Sequence, residues 1–378
     1  MKNRIQSIEY IRGLSMLGVI GIHTGAYSLS GPDVNIHLFA LLEIVTRFSV
    51  PIFFFVSAFG LFLHHDPKGP FNYSNFMQRR CRTVFYPYIV WSLLYMIHYT
   101  WTTSDIAIWQ PPLIYHFFFF GLASCQLYFL VILMWFYLLM PLWRKIVVLI
   151  LQSPRLFLSA LLIGQIVFNY YSCYLLNADF SDETINVALN YRVSYWVLHY
   201  LFIFLLGAVC AVHYEQLVLW LKKRSLQIIM FFLVAVGGML GLYYILLFQY
   251  GYSPEGAVNT GHQLSPPGVL YTLASTLFFM LVFENIQLPG TFRKVLALLG
   301  NHSYVVYLIH PIIMYYLANF LSDQAIIMSS PVVVAFYATT VILSIIAAIL
   351  IRMVTQPLPL LSLGLTGSVK TSGRQSAH

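Results

Sequence analysis

Ten stretches of this chain stay apolar for long enough to cross a bilayer, and that recurrence constrains the fold more than any motif does. They fall at about residues 8–29, 38–63, 84–101, 127–143, 156–176, 193–212, 226–248, 268–283, 303–320 and 332–351. With 60% apolar and only 8% charged residues, the chain has too little charge to dress a soluble surface, so most of it must face lipid. The expectation is an all-α, polytopic membrane protein of about ten transmembrane helices. It forms a single domain over residues 1–365, followed by a short polar tail, 366–378, without fixed structure. The aromatic run 113–123 is too short to cross and reads as an interfacial or re-entrant segment.

Basic residues set the orientation, because short loops rich in them stay in the cytoplasm while acidic loops exert little control. With the amino terminus inside, 17 of the 20 lysines and arginines fall in inner segments, including the clusters Arg79-Arg80-Cys81-Arg82, Lys222-Lys223-Arg224 and Arg293-Lys294. Arg12 and Arg47 lie within spans, and Arg192 alone sits at an outer edge. Both termini are therefore expected in the cytoplasm. The topology rule and attraction to anionic lipid account for the net charge of +8, so no nucleic-acid partner is implied. Glu9 and Arg12 interrupt the first apolar stretch and no Ala-x-Ala-like site follows, so that span is expected to remain as an uncleaved anchor. Cys81, Cys125, Cys173 and Cys210 show no paired spacing, and neither a disulfide framework nor a metal site is expected.

Ionisable side chains inside such stretches are costly and point to function. Arg12 and His23, eleven positions apart, come within about 20° of full helical turns, so both share one face of the first helix about 16 Å apart. Glu9, three residues before Arg12, is placed for a salt bridge at the cytoplasmic end. His23 can accept and return a proton near neutral pH, as a general base does, or it can serve as a hydrogen-bonded packing residue. Glu43 and Arg47, four apart, form either a structural ion pair or a substrate contact. Pro51 and the aromatic row from Phe53 to Phe55 then separate Arg47 from Ser57. Arg79, Arg80 and Arg82 satisfy the topology rule, and they also suit the phosphates of a nucleotide-like cofactor. Near the carboxyl end, Gly300 is expected to break the preceding structure. Asn301 then caps a helix on which Tyr304, Tyr307 and His310 keep near one face.

These segments, in this order, resemble the membrane acyltransferase family called acyltransferase type 3. An acidic residue, arginine, ten residues and histidine read here as Glu9-Tyr10-Ile11-Arg12 and His23. The stretch from Arg47 to Ser57 is similar to the family's Arg…Val-Pro-x-Phe-Phe-x-x-Ser-Gly block, with Ala58 where glycine is usual. Arg79, Arg80 and Arg82 before Pro87-Tyr88 resemble its arginine-rich loop and Pro-Tyr helix start. Gln126-Leu127-Tyr128-Phe129-Leu130 is similar to a segment that more often reads His-Leu-Trp-Phe-Leu, and Gly300 to His310 resembles Gly-x-x-Ser-Tyr-x-x-Tyr-Leu-x-His.

The resemblance implies an enzyme of the bacterial plasma membrane that moves an acyl group, usually acetyl, from cytoplasmic acyl-CoA to a hydroxyl of a cell-surface or lipid-linked glycan. It implies that Arg79, Arg80 and Arg82 hold the CoA phosphates, that Arg12 and Arg47 organise charge within the core, that Glu9 and Arg12 belong with His23 to the catalytic set, and that His23 either activates the hydroxyl or carries the acyl group. Glu43, Arg47, Ser57, Tyr128, Tyr304 and His310 would contact substrate. The rival readings are a transporter or flippase, and a structural component of a polysaccharide export system.

Overall fold

The computed structural model describes residues 5–31, 34–63 and 65–368, within which every regular element is a helix. Lys2, Arg4, Asp33, Lys370, Arg374 and most of the polar tail 366–378 lie outside the described residues. From the amino end run α1 (Gln6–Ser28), α2 (Ile36–Glu43), α3 (Ser49–Leu63), α4 (Tyr73–Arg80) and α5 (Tyr86–Thr103). The short α6 (Leu113–Phe120) occupies the aromatic run, and α7 (Tyr128–Leu138), α8 (Met140–Ile150) and α9 (Pro154–Tyr170) follow it. After α10 (Glu183–Asn190) come α11 (Leu201–Val212), α12 (Tyr214–Lys223), α13 (Ser225–Phe248), α14 (Pro254–Thr260) and α15 (Pro266–Asn285). The chain closes with α16 (Gly290–Asp323), α17 (Ser330–Thr355) and α18 (Pro359–Thr366).

Among the described residues, five helical segments are long and apolar enough to cross a membrane: Pro154–Leu175, α13, α15, α16 and α17. Two bent pairs, α7 with α8 at 72° and Val197–Val212 with α12 at 101°, raise the number to seven if each is one span. α1 has the length, at 23 residues, but carries Glu9, Arg12 and His23 and is not among them. The lipid-facing character is plainest in α13, which fully buries only Ile228, Met239, Tyr243 and Leu246 and leaves Leu226, Met230, Leu233, Val234 and Phe248 exposed.

Where the sequence suggests one uninterrupted stretch at 38–63, the structure has two helices separated at residues 44–48. Pro51 has no N–H to give to the Arg47 carbonyl and its ring crowds that oxygen, so a helix cannot run straight through. The carbonyls freed by the break find partners inside the protein: Tyr271 donates to Val45 O at 2.6 Å, and the Thr46 hydroxyl donates to Leu42 O. Pro141 has the same effect between α7 and α8, where Trp143 donates to Phe136 O at 3.0 Å and Tyr73 to Leu138 O at 2.9 Å.

Gly300 and Asn301, expected to end one helix and cap the next, both lie inside the unbroken α16. The glycine serves close approach. A Cβ there would sit 2.3 Å from Glu9 O, and one on Gly13 would sit 2.4 Å from Leu296 O, so the two glycines let the backbones of α1 and α16 touch. That crossing sets α1 against the helix that carries Tyr304, Tyr307 and His310.

Candidate functional site

α1 presents Arg12 and His23 to two successive cavities. Arg12 lines one of about 240 Å3 together with Ser57 of α3 and Ser303, Tyr304 and Tyr307 of α16. His23 lines a smaller one of about 60 Å3 with Arg47, Cys125, Gln126, Tyr128 and Gln263. Phe129 and Tyr307, their ring centroids 5.7 Å apart, belong to the walls of both. The smaller cavity has room for a few waters or for a group of a few heavy atoms.

The break after α2 aims Arg47 into the smaller cavity. Its Nη2 lies 2.6 Å from Glu43 Oε2, and Nη1 donates to Gln263 Oε1 at 3.3 Å. Both partners are largely removed from solvent, and Arg47 Nε has no hydrogen-bond partner among the described residues. Glu43 reaches its place because Gly25 faces it: a Cβ on Gly25 would lie 2.5 Å from Glu43 Cγ.

His23 meets two further groups. Cys125 Sγ stands 3.7 Å from His23 Nδ1, and the His310 ring lies 5.2 Å away between centroids. His310 is fully buried, its Nδ1 faces Val306 O at 3.1 Å, and its Nε2 has no partner among the described residues. It does not line the cavity itself, so it stands behind His23. Tyr304 also keeps a buried hydroxyl without a partner among the described residues, on the Arg12 side.

The three loop arginines divide. Arg79 and Arg82 are exposed, whereas Arg80 turns inward, its guanidinium carbon 5.2 Å from the Phe76 ring and 5.0 Å from that of Tyr137. Arg80 and Tyr137 both line a third, largely apolar cavity of about 490 Å3, and Tyr137 also lines the cavity of Arg12. Of the sequence-derived site residues, Arg12, Ser57 and Tyr304 thus meet in one room, and His23, Arg47 and Tyr128 in the next, with Glu43 and His310 buttressing the second. Glu9 lies on α1 three residues before Arg12, where its carbonyl meets Gly300. Sequence reasoning left out Cys125, Gln263 and the place of Phe129 and Tyr307 in the walls of both cavities. The adjacency of Cys125 to the Gln126 block is the one signal that could have drawn attention to it.

His262, in the turn between the spans α13 and α15, precedes the glutamine that holds Arg47. Its Nδ1 accepts from Leu264 N at 3.0 Å and its ring stacks on Tyr174, 5.8 Å between centroids. Burial, reinforced by the Arg47 guanidinium, pushes its pKa down to about 4 from an ordinary 6.5. The folded form therefore binds fewer protons than the unfolded chain between those values. Stability contributed here is complete above about pH 6.5 and is lost as pH falls toward 4. In His262→Gln that loss disappears, so a plot of melting temperature against pH should be flatter for the variant between pH 6.5 and 4.5; superimposable plots would refute the assignment.

A family profile described as an acyltransferase domain matches residues 5–349. Two proteins of Staphylococcus epidermidis, one from strain RP62A, are each named "Probable poly-beta-1,6-N-acetyl-D-glucosamine export protein". Each is 23% identical to this chain over 259 residues, which is 67% of this chain and 66% of the relative. The chain thus spans just under two thirds of the length of these curated relatives. No solved structure matches it.

Proposed function

This chain belongs to the acyltransferase type 3 family, and from that membership we propose that it is a membrane O-acyltransferase that passes an acetyl group from cytoplasmic acetyl-CoA to a glycan hydroxyl. The observation that carries the reading is the pair of rooms along α1, one lined by Arg12 and the other by His23, with Phe129 and Tyr307 in the walls of both. In this reading the chain crosses a bacterial plasma membrane ten times with both ends inside, and the Arg12 room opens toward the donor. Arg80 contacts the CoA phosphates, with Arg79 and Arg82 drawing the anion in from the surface. His23 takes the proton of the attacking hydroxyl or holds the acyl group, and the Arg47 guanidinium meets negative charge on the carbonyl oxygen. A room of about 60 Å3 favours acetyl over longer chains. The polymer in the relatives' name supports a saccharide, free or lipid-linked, as the acceptor.

The same name favours a second reading, that of an export component, in which the rooms pass a saccharide rather than modify it. Purified protein in detergent separates the two. With labelled acetyl-CoA and N-acetylglucosamine oligomers, covalent acetylated product supports the transferase, because no sealed compartment exists for transport to register. Bound saccharide without product supports export.

Arg80→Glu is expected to weaken acetyl-CoA binding by at least about tenfold, the equivalent of about 1.4 kcal/mol, in an equilibrium titration of the purified protein. Unchanged affinity would leave Arg80 with only its aromatic packing and its part in topology.

A further inference from the structure

The Cys125 thiol faces the candidate catalytic histidine, yet the reading above gives it no task. Its Sγ is 3.7 Å from His23 Nδ1, it shares the cavity wall with Arg47 and Tyr128, and it is exposed rather than packed away. The turn that bears it, residues 121–127, is fixed on several sides. Gly121 adopts φ +72°, where a Cβ would lie 2.7 Å from Tyr128 N, so the turn closes tightly onto the start of α7. The Tyr307 hydroxyl donates to Gln126 O, and the Gln126 amide donates to Tyr95 Oη at 3.1 Å. Tyr95 in turn donates to Leu308 O at 2.6 Å. A thiol is thus held against an imidazole by this frame, within the hydrogen-bonding distance of sulfur. Arg47, on the wall of the same cavity, keeps a buried Nε without a hydrogen-bond partner among the described residues, so the pocket has a polar atom left to satisfy when occupied.

Resting on the transferase reading, we propose that Cys125 and His23 form a dyad in which Cys125 carries the acyl group as a thioester between donor and acceptor. The room is the second reason: at about 60 Å3 it holds a short acyl group, not the thioester end of CoA and a sugar together. Two half-reactions in turn resolve that. In the first, His23 Nδ1 accepts the Cys125 proton and Sγ attacks the acyl-CoA carbonyl carbon. The new C–S bond forms, the bond to CoA sulfur breaks, and CoA leaves as a thiol with the proton from His23. In the second, His23 accepts the proton of the acceptor hydroxyl, whose oxygen attacks the Cys125 thioester. The ester C–O bond forms, the C–Sγ bond breaks, and the proton returns to Sγ. One thioester replaces another in the first half and an oxygen ester is released in the second, so no oxidant or further reactant is needed. Arg47 faces the carbonyl oxygen in both.

The test uses the purified full-length protein in detergent with radiolabelled acetyl-CoA, first without acceptor. The expected result is up to one acetyl per chain that survives denaturation, is released by neutral hydroxylamine and maps to the peptide bearing Cys125. Cys125→Ala should take no label and lose acceptor acetylation by about a hundredfold or more. Cys125→Ser, which keeps the size of the side chain, should either take no label or trap an ester resistant to neutral hydroxylamine. Label that persists in Cys125→Ala, or that maps to His23, overturns the dyad, and so does full acetylation by Cys125→Ala. Either outcome leaves the transferase standing. Wild-type protein that yields neither label nor acetylated oligomer removes the transferase reading and the dyad with it.

Discussion

Replacing His23 by alanine is expected to lower acyl transfer by at least about a hundredfold while the protein still purifies as a folded species. A positioned base contributes about 10²–10⁴ to a rate, and His23 is the imidazole that lines the smaller room. Folding should survive because His23 is half-buried at a cavity wall, with Cys125 as its hydrogen-bonding neighbour, and is not part of the apolar packing around Phe54, Phe136 and Phe204. Acetylated oligomer counted by mass spectrometry, beside a melting curve of the same preparation, reads both halves. Undiminished product would remove His23 from the chemistry, and a collapsed melting curve would recast it as a structural residue. His310→Ala provides the contrast. That side chain is fully buried behind His23 and outside the cavity wall, so its loss should act on stability and on His23 orientation together.

The parts of this fold that a linear reading recovers are those whose apolar runs are uninterrupted. The stretch 226–248 became Ser225–Phe248, and 332–351 lies inside Ser330–Thr355. What it misses depends on partners far along the chain. The break at 44–48 is tolerated because Tyr271 reaches Val45 O across 226 positions, and nothing between 38 and 63 announces that help. Gly300 has the local signature of a helix end, but the backbone of Glu9 occupies the space its missing side chain leaves. The site divides in the same way. Helical periodicity places Arg12 and His23 on one face of α1, whereas the approach of Cys125 to His23 joins residues 102 apart through a turn that no periodicity describes. Arg79, Arg80 and Arg82 look equivalent in sequence. The π-helical turn that follows α4 is part of a surface on which only Arg80 is drawn in, toward Phe76 and Tyr137.

Glu43→Ala should cost the most stability of any single change at the site, because it strands the Arg47 guanidinium in a largely desolvated place. Breaking a buried pair from one side costs about 3–5 kcal/mol, and the remaining contact, Arg47 Nη1 to Gln263 at 3.3 Å, is a long hydrogen bond to a neutral group. The cost belongs to the orphaned charge, however, and not to the pair as such. Taking both charges out of water is itself expensive, so the double variant Glu43→Leu with Arg47→Met should regain most of the melting temperature that Glu43→Ala loses. Transfer should not return with it. If Arg47 meets the carbonyl oxygen of the acyl group, removing the guanidinium costs about 10²–10³ in rate whatever the fold regains. Thermal melts and transfer assays on the wild type, both single variants and the double variant therefore separate two roles that one cation fills here. A double variant that is stable and still transfers at the wild-type rate would leave Glu43 and Arg47 as an ion pair that holds the broken helix in place and touches no substrate.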